Sequence, residues 1–130
     1  MADMVIEDYQ KACLKTESND FPAIKDRITD ENIRLLHAGI GLATEAGEFL
    51  DALKKHIFYG KEMDKVNLME ECGDLMWYMS VALDALGYDY EKVMARNIEK
   101  LSARYKGGFS KEAASNRNLD IERDILEKTH

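Results

Sequence analysis

The chain has 130 residues, a formal net charge of −7 and two cysteines. This length predicts one domain, residues 1–130, whose folding buries about two thirds of the surface that the unfolded chain exposes. The negative charge argues against a nucleic-acid polymer as partner, because such binders present a basic face to the phosphates.

The elements predicted from the N-terminus onward are helices. MADMVIEDYQ has no basic region followed by an apolar core, and no apolar run in the chain approaches the roughly 20 residues of a membrane span. Cys13 and Cys72 are too few for a disulfide framework and lack metal-ligand spacing. We therefore expect a cytoplasmic protein without a membrane partner. A first short helix covers about residues 3–16 and ends in the polar segment KTESNDF before Pro22.

Two long helices follow, and both are bounded by recognisable caps. From Asp30, a predicted N-cap, apolar residues recur at helical spacing until Gly60. Asp64 is the predicted N-cap of the second helix, whose apolar stripe includes Cys72 and ends at Gly87. A third helix, YEKVMARNIEKLSARY, is closed by two glycines, and DIERDILEK forms a short fourth one. The prediction is an all-α helical bundle with short connections.

Each long helix carries a pair of acids one turn apart beside its apolar stripe. Glu45 and Glu48 border the core on the first, and Glu71 and Asp74 on the second. The short connection makes the two helices antiparallel neighbours, so the acids are expected to converge. Four like charges in a low dielectric either take up protons or share cations.

Magnesium is the cation that best fits four carboxylates on rigid helices, because it prefers octahedral oxygen ligation and keeps waters and substrate phosphates in its shell. Two solvated acidic faces are the alternative that this pattern leaves open. A di-iron carboxylate bundle is a weaker rival, because that class uses Glu-x-x-His at this spacing and neither pair contains histidine.

The segments EAGE, EECGDLMWY and NIEKLSARY together resemble the MazG-like family of all-α nucleoside triphosphate pyrophosphohydrolases. The resemblance runs from about His37 to Phe109. It implies magnesium-dependent hydrolysis of a nucleoside triphosphate between its α and β phosphates, giving a nucleoside monophosphate and pyrophosphate, in nucleotide-pool housecleaning. Mn²⁺ is a possible substitute for Mg²⁺. By this resemblance the metal ligands and catalytic residues are Glu45, Glu48, Glu71 and Asp74.

The third helix offers charges that complement a triphosphate. Asn97, Lys100 and Arg104 stand at i, i+3 and i+7, so one face presents an amide and two cations. The resemblance implies that these residues contact the substrate phosphates. The alternative is a solvent-exposed helix face on which the charges of Glu99 and Lys100 balance each other.

Three further residues are candidates for substrate contact. Lys55 follows the first acid pair, although lysines at a helix end commonly serve the macrodipole. Tyr78 shares the face of the second acid pair, where its ring either packs against a nucleobase or fills the core. His37 lies two turns before Glu45 on nearly the same edge.

No serine, cysteine or histidine has neighbours that suggest a covalent nucleophile, so direct attack by water is the expected chemistry. The alternative from another class is a non-catalytic helical assembly or regulatory module with a cation site. The second long helix is apolar over more than one face, since Met69, Met76 and Trp77 lie outside its stripe. We therefore expect a homodimer or a dimer of dimers that completes a four-helix core.

Overall fold

A computed structural model describes residues 6–128, apart from the side chain of Glu7, and all of its regular elements in that range are helices. The fold class is all-α, as predicted. Residues 3–5 of the predicted first helix lie outside the described range. The helices are α1 (Ile6–Leu14), α2 (Phe21–Asp26), α3 (Asp30–Tyr59), α4 (Lys65–Leu86), α5 (Tyr90–Arg104), α6 (Lys111–Ser115) and α7 (Leu119–Glu127).

The ends of the long helices follow their capping residues. The Asp64 side chain accepts a hydrogen bond of 3.0 Å from the backbone N–H of Asn67 and caps α4, as predicted. Gly87 ends α4 with a φ of 77°, in the left-handed region that glycine favours. The predicted cap of α3 is wrong by one residue. Thr29 Oγ1, not the Asp30 side chain, accepts from the backbone N–H of Asn32.

Two short helices, α2 and α6, lie where connecting segments are predicted. In α2, Pro22 occupies the first turn, where its missing N–H costs no hydrogen bond, and the Asp20 side chain caps the backbone N–H of Ala23. In α6, Ser110 caps the N–H of Ala113 at 3.0 Å. Neither helix is long enough to carry an apolar stripe, so periodicity does not detect them.

The chain divides into two compact units, Met1–Ile33 and Arg34–His130. In the first unit, α2 is tied to the first turn of α3 because the Asn32 amide donates to the backbone oxygen of Arg27 at 2.8 Å.

In the second unit, α3 and α4 run antiparallel side by side. Arg34 near the start of this stretch pairs with Asp84 near the end of α4, through Nη2 and Oδ2 at 2.6 Å. Further along, Glu45 of α3 is hydrogen-bonded to Glu71 of α4. Residues later in α3 therefore meet residues earlier in α4, which is the arrangement that the short connection predicts.

Helix α5 is anchored to α4 at one end and to α7 at the other. The Tyr90 hydroxyl donates to the backbone oxygen of Met76 at 2.6 Å and lies 2.9 Å from Ser80 Oγ. Towards its C-terminus α5 packs against α7, where Glu122 and Ile125 are buried.

Few apolar side chains of the described range are buried within one chain. Ala38, Leu83 and Ile125 are buried, whereas large apolar residues along α3 and α4, including Ile57 at 66% and Trp77 at 56%, are exposed. Cys72, predicted to pack in the stripe of α4, is exposed as well. Among residues 6–128, no helix is both long and apolar enough to cross a membrane.

Candidate active site

Three of the four predicted acids converge between α3 and α4. Carboxylate oxygens of Glu45, Glu71 and Asp74 lie within 4.8 Å of one another. Glu71 is buried, Glu45 is half-buried and Asp74 is exposed, so the group has a closed side and an open side. Glu48 lies outside this group of three, but its charge acts on Glu71. We call Glu45, Glu71 and Asp74 the three-acid cluster.

The three-acid cluster raises the pKa of Glu71 to about 7, from its usual 4.5. The hydrogen bond with Glu45 is the largest cause, followed by burial and then by the negative charges of Glu45, Glu48 and Asp74. Each favours the protonated form, because a second full charge at this place has no cation beside it. Near neutral pH the protonated and ionised forms of Glu71 are therefore both populated.

The spacing of the three-acid cluster fits a small hard cation. In an octahedral Mg²⁺ shell with bonds of 2.0–2.1 Å, ligand oxygens lie roughly 3–4 Å apart. The observed oxygens are within 4.8 Å of one another, so small side-chain movements bring them to that spacing. The donor set is all oxygen, and Asp74 on its open side is exposed to solvent.

Glu48 and Lys55 line a neighbouring cavity of about 300 Å³ at the turn between α3 and α4. Lys55 Nζ pairs with Asp51 Oδ2 at 2.6 Å, and this contact is the main reason that the pKa of Lys55 is raised. Lys54 contacts the other oxygen of Asp51 at 3.4 Å. Asp51 thus holds Lys55 beside Glu48, a role that the sequence analysis missed.

Tyr78 and His37 meet on the other side of the three-acid cluster, where they contact Trp77. The rings of Trp77 and Tyr78 are edge to face, with centroids 4.9 Å apart, and the His37 ring lies 5.8 Å from that of Tyr78. Tyr78 is half-buried, and its ring lies against the backbone of Gly41.

On α5, the neighbours of Asn97 and Lys100 differ from those of Arg104. Asn97 is exposed and lines a mainly apolar cavity of about 270 Å³ with Tyr88, Arg96 and residues of α5 and α7. Lys100 is half-buried. Glu99 forms an ion pair with Lys128. Lys100 is therefore not the one cation to which the charge of Glu99 can be assigned.

Arg104 is held by an acid of α7. Its Nε donates to Glu122 Oε1 at 2.7 Å and its Nη2 to Oε2 at 3.3 Å, while Arg117 Nη2 pairs with Oε2 at 2.5 Å. The hydrogen bonds from Arg104 and then Arg117 lower the pKa of Glu122 to about 2. We call Arg104, Arg117 and Glu122 the arginine clamp. Arg104 also borders a cavity of about 520 Å³ with Lys106 and Gly108.

The sequence model of the MazG nucleotide pyrophosphohydrolase domain matches residues 36–109, more than half of the chain. The chain belongs to this family. The matched MazG region contains all four predicted acids and the three predicted phosphate-side residues of α5. It ends before α6 and α7, so the Glu122 side of the arginine clamp lies beyond it.

One curated relative supports the MazG assignment. The chain is 31% identical over 90 residues to the Gene 37 protein of Mycobacterium phage L5, an overlap of 64% of this chain and 76% of the relative. No solved structure gives a significant match to the chain.

Sequence reasoning did not single out Gly41, Asp51 or Glu122. For Gly41 and Asp51 a usable signal exists, since Gly41 lies one turn before Glu45 and Asp51 one turn before Lys55. Glu122 is 18 residues from Arg104. No local spacing rule connects two residues at that separation.

Proposed function

We propose that this MazG-family protein hydrolyses a nucleoside triphosphate between its α and β phosphates, releasing a nucleoside monophosphate and pyrophosphate in nucleotide-pool housecleaning. The observation that carries the proposal is the three-acid cluster, in which the hydrogen bond with Glu45, burial and the nearby acids raise the pKa of Glu71 to about 7. A cluster of this kind suits a substrate that is itself highly anionic and arrives with metal.

In this proposal Glu45, Glu71 and Asp74 hold Mg²⁺, or Mn²⁺ in its place, and Glu48 completes the acidic set. When bound, the ion supplies positive charge that neutralises phosphate oxygens and makes water more acidic. Glu71 would hold the ion as a carboxylate, so its proton would pass to solvent. We assign the role of general base, which accepts a proton from the attacking water, to Glu48, because it is exposed and lies outside the group of three.

The remaining predicted residues are proposed to bind the substrate around the three-acid cluster. Asn97 and Lys100 supply an amide and a cation from α5, and Lys55, oriented by Asp51, supplies a second cation. Arg104 contributes through Nη1, the guanidinium nitrogen that does not contact Glu122. Tyr78 and His37 complete the proposed substrate-binding residues and supply aromatic rings beside the cluster.

The test is product analysis with a panel of nucleoside triphosphates, purified protein and Mg²⁺. We expect monophosphate and pyrophosphate in equal amounts, and no turnover when a chelator removes the ion. Inorganic phosphate with nucleoside diphosphate would reject cleavage at the α–β bond. Absence of turnover with every nucleotide, together with intact Mg²⁺ binding, would favour the non-catalytic module instead.

We further propose that the active form is a homodimer or a dimer of dimers. Support comes from α3 and α4, whose exposed apolar residues include Leu50, Ile57, Met69, Met76 and Trp77. Soluble monomers rarely expose large apolar patches, and pairing two copies would cover these side chains. Light scattering coupled to gel filtration should give a multiple of 14.9 kDa, and the monomer mass at micromolar concentration would reject the assembly.

A further inference from the structure

Gly41 is one of two buried positions in α3, and the Tyr78 ring occupies the space that a side chain would need there. A Cβ atom at position 41 would overlap Cδ1, Cε1 and Cζ of Tyr78. Gly39 and Gly47 in the same helix differ, because a Cβ at either meets no atom within 4 Å. The α3–α4 contact therefore requires glycine at position 41 alone among these three.

The Gly41–Tyr78 contact lies one helical turn from the three-acid cluster on both helices. Glu45 follows Gly41 by four residues in α3, and Asp74 precedes Tyr78 by four in α4. Because the helices are antiparallel, both steps run in the same direction and cover about 6 Å along the axes. The ring and the acids therefore share one edge of each helix.

We propose that Gly41 and Tyr78 are positioning residues that set the separation of α3 and α4 at the three-acid cluster. The ring rests directly on the Gly41 backbone and acts as the spacer, and Trp77 packs edge-on against it at 4.9 Å. This role adds to the proposed substrate contact of Tyr78. It rests on the proposed metal site, but it is separable from it by experiment.

The size of the required movement explains why the metal site should respond. To bring a new Cβ from overlap to ordinary contact distance, the ring or the helix must move by on the order of 1 Å. Mg²⁺ demands near-ideal octahedral geometry, and functional groups generally need placement within about 0.5 Å. A displacement of α3 by that amount separates Glu45 from Glu71 and Asp74.

The test compares G41A with G39A, which makes the same chemical change two residues earlier. Both raise helix propensity, so their difference isolates the contact with Tyr78. Calorimetric titration with Mg²⁺ alone should show binding to G41A weakened by about tenfold or more, the range expected when support of a metal site is lost. G39A should match the wild-type protein. The double variant G41A/Y78L, in which the ring is removed, should recover most of the affinity.

A crystal structure of metal-free G41A supplies a readout that does not depend on the ion. We expect the Glu45–Glu71 hydrogen bond to be broken in G41A and intact in G39A. Wild-type Mg²⁺ affinity in G41A, or an intact Glu45–Glu71 bond, would overturn the positioning role, because the ring would then have moved without shifting the helix. If the wild-type protein bound no Mg²⁺, the proposed metal site would fail, while this structure would still decide the contact.

Discussion

Two buried glutamates of this chain have opposite surroundings. Glu71, between α3 and α4, faces other acids, and its pKa is raised to about 7. Glu122, between α5 and α7, faces the guanidinium groups of Arg104 and Arg117, and its pKa is lowered to about 2. Both carboxylates are removed from water to a similar degree, at 8% and 4% exposure. Burial raises the pKa of both carboxyl groups, so the difference comes from their hydrogen-bond partners, an acid for Glu71 and two arginines for Glu122.

The two buried carboxyl groups therefore differ in whether the chain itself supplies a cationic partner. The arginine clamp satisfies its buried carboxylate within the chain and joins two helices by a bidentate contact, the geometry that guanidinium and carboxylate favour. The three-acid cluster concentrates negative charge that no described cation of the chain contacts. A bound cation from solution would relieve this repulsion, so the cluster has the electrostatic character of a binding site.

The largest expected effect distinguishes an acid of the cluster from an ordinary surface acid on the same helix. D74A should lower Mg²⁺-dependent turnover by more than the roughly 100-fold that loss of an outer-shell partner costs, because a proposed ligand itself is removed. E48A should also lower turnover strongly, because it removes the proposed general base. D84A is the matched control, since Asp84 is exposed on α4 and only pairs with Arg34. Steady-state kinetics with unchanged circular dichroism measures the difference, and near-normal turnover in D74A would contradict the assignment.

The second expected effect is stabilisation by metal. At a Mg²⁺ concentration about 100 times the Kd, the wild-type free energy of unfolding should rise by about 2.7 kcal/mol. E71Q should gain little from Mg²⁺, because the buried ligand charge is gone. Without metal, E71Q should be at least as stable as the wild-type protein at pH 8, since repulsion in the cluster is reduced. Urea titrations with and without Mg²⁺ measure both quantities. Equal stabilisation of E71Q and the wild-type protein by Mg²⁺ would contradict a role for Glu71 as metal ligand.

The smallest expected effect is the pH dependence of the metal-free protein, in which the two glutamates act in opposite directions. The folded state holds the Glu71 proton more tightly than the unfolded state does. The free energy of unfolding should therefore fall as pH rises from about 4.5 to about 7. The folded state holds the Glu122 proton less tightly. The contribution of Glu122 to the free energy of unfolding should be complete above about pH 4.5 and should be lost as pH falls towards 2.

Chemical denaturation in chelator across this pH range tests both limbs. E71Q should remove the pH dependence of the free energy of unfolding between about pH 4.5 and 7, and E122Q the dependence below about pH 4.5. A neutral limb that persists in E71Q would show that another group titrates there.

How much of the fold the sequence predicts depends on the length of each element. The extents of α3, α4 and α5 follow from apolar periodicity and from caps such as Asp64 and Gly87, which act within a few residues. The short helices α2 and α6 carry only the capping signals of Asp20 and Ser110. Such signals also occur in turns, so without a periodic stripe they are ambiguous.

Within the candidate site, contacts that follow from local helical spacing are predictable from the sequence, and contacts that depend on longer-range packing are not. Helical spacing and one short connection suffice to bring Glu45, Glu71 and Asp74 together. Whether Glu48 joins them depends on details of side-chain packing that spacing does not contain. The pairing of Arg104 with Glu122 depends on how α7 returns to α5, which involves a long-range contact.

Trp77 gives this chain a built-in spectroscopic reporter, because it is the single tryptophan of the sequence. Its ring touches Tyr78 edge-on and lies 6.4 Å from the ring of His37, so it spans the contact between α4 and α3. The tryptophan fluorescence of the protein therefore originates at one known place, beside the acids. Movements of the two helices can be followed there in real time, without a label and without altering either of the exposed thiols.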